Sequence, residues 1–176
     1  MTGSYSGGTE AVDETERTRL AAERDRIRST YLHPRDDRPP SSARGAHHIA
    51  LICSDVERTT RFYQEVLGFP LTVMFENRDL PGSTHFFFDL GAGNTIAYFD
   101  LPGVDPGDYA EVLGGLHHLA ISIDPDQWRA AKDRLDQAGI AYDHVDETSL
   151  YFRGPDGERL ELLADPLRWM YGERVD

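Results

Sequence analysis

Two near-identical tetrapeptides, His47–Ala50 (HHIA) and His117–Ala120 (HHLA), stand 70 positions apart, each followed by an apolar run and an aspartate. Imidazole is the side chain that changes charge near neutrality and the commonest nitrogen donor to metals. A third segment, Leu160–Leu163 (LELL), places one acid inside an apolar strand, where a lone carboxylate needs a partner such as a metal. Side chains alternate along a strand, so His48 groups with Ala50 and Ile52, His118 with Ala120 and Ser122, and Glu161 with Arg159 and Leu163. Two imidazoles and one carboxylate (His48, His118, Glu161) make the ligand set of non-haem iron(II) sites, with positions left open for substrate and oxygen. Fe(II) is the first expectation for the metal, and Mn(II), Zn(II) and Ni(II) are alternatives with the same donors.

The elements that must position these residues come in two matching sets. Ala46–Ile52 reads as a strand, and Asp55 caps a helix over Val56–Leu67 that Gly68 ends. Strands follow at Pro70–Phe75, His85–Asp89 and Asn94–Asp100. The same order returns with a strand at His117–Ile123 and a helix over Asp126–Ala138 that Gly139 stops. Strands then follow at Ile140–Val145, Leu150–Arg153 and Arg159–Ala164. A shift of 64 lays Gly93 over Gly157 and Ile96 over Leu160, and it lays Ala97 over Glu161. The chain is thus an internal repeat of two four-stranded units, asymmetric at the one position where the second unit holds its acid.

Outside the repeat, Met1–Thr9 is Gly/Ser-rich, Glu14–Thr30 alternates charge as a helix with little to bury, and Arg35–Gly45 reads as a linker broken by Pro39–Pro40. The expected organisation is an extension and linker over residues 1–44 and a domain over 45–166, with modules at about 45–100 and 115–166. A tail over 167–176 follows, and Trp169, Met170 and Tyr171 fit it to cover a sheet edge or a subunit contact. The chain has 176 residues, 39% of them hydrophobic, enough for one real core. Its formal charge of -13 falls entirely after residue 44, since eight acids and eight arginines cancel before it. An acidic domain repels a phosphate backbone, so nucleic acid is an unfavourable partner and a small organic substrate a better one. No apolar run reaches membrane-span length and no signal-peptide core opens the chain, so the expectation is a cytoplasmic protein without a membrane partner. The single cysteine, Cys53, excludes a disulfide scheme within the chain and reads as a small buried hydrophobe.

The segments HHIALICSDVERTTRFYQEVLGF, GLHHLAISID and SLYFRGPDGERLELL resemble the vicinal oxygen chelate superfamily, over about Gly45–Pro166. That superfamily includes glyoxalases, fosfomycin-resistance thiol transferases, methylmalonyl-CoA epimerases and type I extradiol dioxygenases. The resemblance implies an α+β fold of paired βαβββ modules forming a curved mixed sheet around a metal site. It places the metal ligands on His48, His118 and Glu161 and the optional fourth ligand on Ala97, whose methyl group cannot bind a metal. The missing fourth donor points away from glyoxalases and epimerases, and the ligand pattern is nearest to the extradiol dioxygenases.

In that family a tyrosine ten residues before the glutamate stands near the substrate oxygens, which here is Tyr151. A histidine upstream of it falls on His144, expected to assist proton movement. Phe86, Phe88 and Tyr98 are expected to wall an aromatic pocket, and a homodimer is implied. The reaction expected first is ring cleavage of an aromatic vicinal diol. Against it, the acid–base histidine of catechol cleavage falls on Asn94, whose amide exchanges no proton at neutral pH. A non-oxygenase metal-dependent isomerase, lyase or thiol transferase of the same fold is the alternative, and a metal-free protein that binds or sequesters an aromatic compound is a second.

Overall fold

A computed structural model of the chain describes residues 12–43 and 45–164. The Gly/Ser-rich start and the aromatic tail after Asp165 lie outside the described residues. The chain divides into two units, of which one, Ala43–Pro166, holds both modules. In the other, helix α1 (Glu14–Tyr31) is capped by Asp13, whose Oδ1 accepts the Glu16 N–H at 2.8 Å. Arg–acid pairs three residues apart, such as Arg19–Glu16 and Arg26–Glu23, line it, and it buries no residue.

The first module runs β1 (His48–Cys53), α2 (Val56–Arg61, continuing in wider π-type turns through Phe62–Leu67), β2 (Leu71–Glu76), β3 (Thr84–Asp89) and β4 (Thr95–Asp100). Asp55 caps α2 by accepting the Arg58 N–H at 2.8 Å, and Gly68 closes the helical segment at φ +79°, a left-handed turn that favours glycine. The second module repeats this as β5 (Leu119–Ser122), α3 (Pro125–Gln137), β6 (Tyr142–Val145), β7 (Ser149–Arg153) and β8 (Arg159–Leu163). The sheets have orders β1-β4-β3-β2 and β5-β8-β7-β6, with the first and last strands of each module parallel and the other pairs antiparallel. Register carries the duplication to single residues: Ala50 pairs with Ala97, and Ala120 pairs with Glu161.

The fold is therefore α+β with paired βαβββ modules, but it is not a curved mixed sheet around a metal site. The strands form two separate four-stranded sheets. Among the described residues no group of three or more His, Cys, Asp or Glu side chains is placed to hold a metal ion. The reason lies in which faces the modules use to meet. One hydrophobic core joins them on the helix side, with Phe62, Tyr63, Phe88 and Tyr98 from the first module and Trp128, Leu135, Phe152 and Leu162 from the second. The rings of Phe62 and Phe152 meet at 6.3 Å, and Arg134 of α3 donates to the carbonyls of Val66 and Leu67 at 2.6 and 3.1 Å. Those are the orphan carbonyls of a helix end, where a cation is favoured. Packing through the helices leaves the opposite face of each sheet uncovered by the other module.

Candidate functional site

On the second sheet, strands β5, β8 and β7 lie side by side, so Ala120, Glu161 and Tyr151 share one face. His118, directly before β5, turns to the same face, and its Nε2 lies 3.2 Å from Glu161 Oε2. Its other nitrogen contacts His117, with Nδ1 atoms 2.6 Å apart. His47 and His48 repeat that contact at 2.8 Å, again through Nδ1, so Nε2 is the nitrogen of His48 that the doublet does not use. Which imidazole nitrogen meets a metal or proton acceptor is set by the bond the other nitrogen makes. Each doublet thus commits its inner nitrogens to one another and presents the outer one.

Tyr151 packs its ring edge-on to His118, centroids 5.7 Å apart. Burial and the Glu161 carboxylate push its phenol up, with Arg159 pulling partly back, so the hydroxyl stays a donor. Glu161 is buried in the sheet centre. His118, Glu161 and Tyr151 are the sequence-expected residues that the structure brings together.

His48 does not join them. It lies on the open face of the first sheet, edge-on to Phe87 at 5.8 Å. The donor set of His48, His118 and Glu161 has suitable chemistry for a metal, but the three do not form a metal-holding group within one chain. His144 is also apart, for it pairs with Leu150 across β7 and packs on Trp128 of α3 at 5.3 Å, on the helix side of the sheet. Asn94 is tied into the β3–β4 turn, donating to the carbonyls of Gly91 and Ala92.

The expected aromatic wall is replaced by its neighbours in sequence. Phe86, Phe88 and Tyr98 are fully buried in the core. The residues of opposite parity, His85, Phe87 and Phe99, share the face of His48, with Phe75 of β2 beside them. Their rings form a continuous group, His85 stacked on Phe99 at 3.8 Å and Phe75 on Phe87 at 6.1 Å. Burial, with the His48 charge second, lowers the pKa of His85 and favours its neutral form. A one-residue difference in parity exchanges the core for the open face, so strand membership alone does not identify this face.

With this geometry in place, the chain is assigned to the Glyoxalase/Bleomycin resistance protein/Dioxygenase superfamily, whose family model matches residues 45–162. Among characterised and solved relatives, three are informative. It is 23% identical over 139 residues to the putative ring-cleaving dioxygenase MhqA of Bacillus subtilis (strain 168), covering 73% of this chain and 42% of that protein. It is 27% identical over 135 residues to the metallothiol transferase FosB of Lysinibacillus sphaericus (strain C3-41), covering 69% of this chain and 83% of that one. It also matches the structure of the fosfomycin resistance protein FosX of Listeria monocytogenes in complex with Mn(II) and sulfate. That match has a TM-score of 0.55 and 26% identity over 73% of this chain and 98% of that chain. The chain spans less than half the length of the ring-cleaving dioxygenase and most of the length of the transferase. Among the described residues no helix is long and apolar enough to cross a membrane.

Proposed function

We propose that the protein is a metal-dependent enzyme of the non-oxygenase kind, a thiol transferase, lyase or isomerase acting on a small molecule as a homodimer. The observation that carries this reading is the split donor set. His118 and Glu161 meet at 3.2 Å on one open sheet face, while His48, whose Nδ1 is taken up by His47, stands on the other. A two-fold axis that sets the open faces of two copies together brings each His48 to the His118–Glu161 pair of its mate, and does so twice. The metal site is then a property of the pair of chains and absent from either alone.

A bound divalent metal polarises a substrate oxygen. The chain's own residues do the rest: Tyr151 donates its hydroxyl toward charge developing on the substrate, and its raised pKa keeps that proton in place. The Phe75, Phe87 and Phe99 rings offer a flat apolar floor to the substrate body.

That floor also favours a second reading, ring cleavage of an aromatic diol with Fe(II). With Asn94 where that reaction needs an acid–base histidine, and His144 on the helix side of the sheet, the reaction has no proton carrier among the residues expected for it. Titration of chelator-stripped, full-length protein with Mn(II), Fe(II), Ni(II) and Zn(II), with mass measured by sedimentation, tests the main reading. Expected are one metal per chain in a dimer, lost in His118→Ala, Glu161→Gln and His48→Ala, with anaerobic turnover of thiol acceptors. A dimer that takes up no metal overturns it, and iron-dependent oxygen uptake with a catechol selects the second reading instead.

A further inference from the structure

The face that carries His118, Glu161 and Tyr151 also carries two arginines that the proposed chemistry does not use. Arg153 and Arg159 are directly opposite one another on β7 and β8, and both have the parity of Tyr151 and Glu161. Like charges paired across a sheet repel, and a neighbouring anion relieves that cost. The domain is strongly acidic, yet among the described residues these two cations have few carboxylate contacts. Arg153 donates to the carbonyl of Gly157 at 3.0 Å and lies over the ring of Tyr109. Arg159 lies over the ring of Tyr151, with its side chain only 18% exposed.

Among the described residues the charge partner of Arg159 is Glu111, at 3.8 Å. That separation is too long for a hydrogen bond, so a guanidinium built for paired oxygens holds this carboxylate loosely. Glu111 comes from the connection between the modules, where the next two residues, Val112 and Leu113, are exposed apolar side chains. Its other carboxylate oxygen lies 3.8 Å from Nε2 of His117.

We propose that Arg159, assisted by Arg153, is a subsite for a substrate carboxylate, and that Glu111 occupies it in the resting protein and gives way when the substrate enters. A planar guanidinium can take both carboxylate oxygens at once, and stacking on Tyr151 holds its plane beside the reactive face. The substrate is then an organic acid whose carboxylate is read at Arg159 and whose reacting end lies toward His118, Glu161 and Tyr151. This orientation rests on the function proposed above, whereas the anion subsite itself does not require a metal.

Benzoate and its neutral analogue benzamide, titrated by NMR into full-length protein kept metal-free with chelator, test the subsite. Benzoate is expected to bind and shift the signals of Arg153, Arg159 and Tyr151, while benzamide does not. Arg159→Gln is expected to weaken benzoate about tenfold, the scale of one lost charge-assisted contact. Glu111→Gln is expected to tighten it about threefold or more, by removing the competing carboxylate, a gain that misfolding cannot produce. Equal binding of benzoate and benzamide, or a Glu111→Gln affinity unchanged or weaker, overturns the proposal. Because no metal is present, failure of the metal-dependent reading leaves this result standing, and the reverse holds too.

Discussion

Tyr98 of the first module donates its hydroxyl to Glu158 of the second at 2.9 Å, inside the shared core. Tyr98 has no exposed surface and Glu158 has 5%. The hydroxyls of Tyr63 and Tyr98 are 2.7 Å apart, and the Asp156 N–H donates to the other oxygen of Glu158 at 3.0 Å. An acid from the β7–β8 turn is thus held among the strand and helix residues of the other module. Replacing it with alanine leaves one of the two phenol protons without an acceptor, since the hydroxyls can still bond each other, at a cost of about 1–3 kcal/mol. Gly154→Ala is expected to lose stability as well, because a Cβ there would overlap the Glu158 carboxylate. Urea denaturation checks both, and a wild-type midpoint in either variant would deny the turn its part in joining the modules.

The ionisation of Glu158 gives a second prediction. Burial holds its carboxyl above the usual carboxylate range, opposed by the Tyr98 hydroxyl and nearby backbone N–H groups, while Asp156 raises it further. An acid whose folded pKa exceeds its unfolded value binds more protons folded than unfolded between the two. The stability it contributes is present in full below the unfolded value and is lost as pH rises through the folded one. Between about pH 5 and about pH 8 the melting temperature of the wild type should therefore fall more than that of Glu158→Gln. Parallel curves for the two proteins would contradict this assignment.

Near the same turn, Asp156 accepts from Ser54 Oγ at 2.5 Å and pairs with Arg58 at 2.8 Å. The Arg58 side chain is half exposed, so water already serves it. Asp156→Ala should cost only about 1 kcal/mol or less, well below the loss at Glu158. Chemical denaturation of the two variants side by side ranks them.

Complementation separates a shared metal site from one within a chain. If His48 of one copy serves the His118–Glu161 pair of the other, a dimer of one His48→Ala chain and one Glu161→Gln chain has one intact site and one doubly broken site. Two inactive variants mixed and allowed to exchange subunits should recover about a quarter of wild-type metal binding, since half of the dimers are mixed. No recovery in a mixture shown to exchange would place all three ligands within one chain or remove one from the site.

Cys53 follows the ordinary rule for buried thiols. Burial pushes it up to about 11, and the surrounding acids add to the shift. The thiolate is the reactive form, so alkylation of the native protein near neutral pH should be slow and should become fast in urea. Rapid native labelling would show that the β1 end opens in solution.

The element order was readable in the chain because each module repeats strand, helix and three strands with glycines at the breaks. Helix ends at Gly68 and Gly139 agree with the structure to within a residue or two. His118 and Glu161 were singled out by the repeat and by the lone acid in an apolar strand, whereas Tyr151 came only from the family resemblance; the structure puts the three on one face because β5, β8 and β7 are neighbours. Three things were not readable. Phe87 and Phe86 are equally apolar, so composition could not say which faces the core. His144 alternates onto the helix side, a consequence of its pairing with Leu150 that no spacing to Glu161 reveals. The way the modules meet depends on Glu158, Tyr98 and Arg134, whose partners are 95, 60 and 68 residues away or nearly so. Such distant pairing leaves no local pattern.

The buried Glu158 also bears on how such a chain can arise and be divided. Two copies of a module that meet only at their surfaces can be separated again by splitting the gene between them. Here a fission within residues 101–116 would leave one half with two core phenols opened to water and the other with a carboxylate stripped of its hydroxyl partner. Each half therefore carries a polar group that only the other half can satisfy, so neither is a finished fold without its partner.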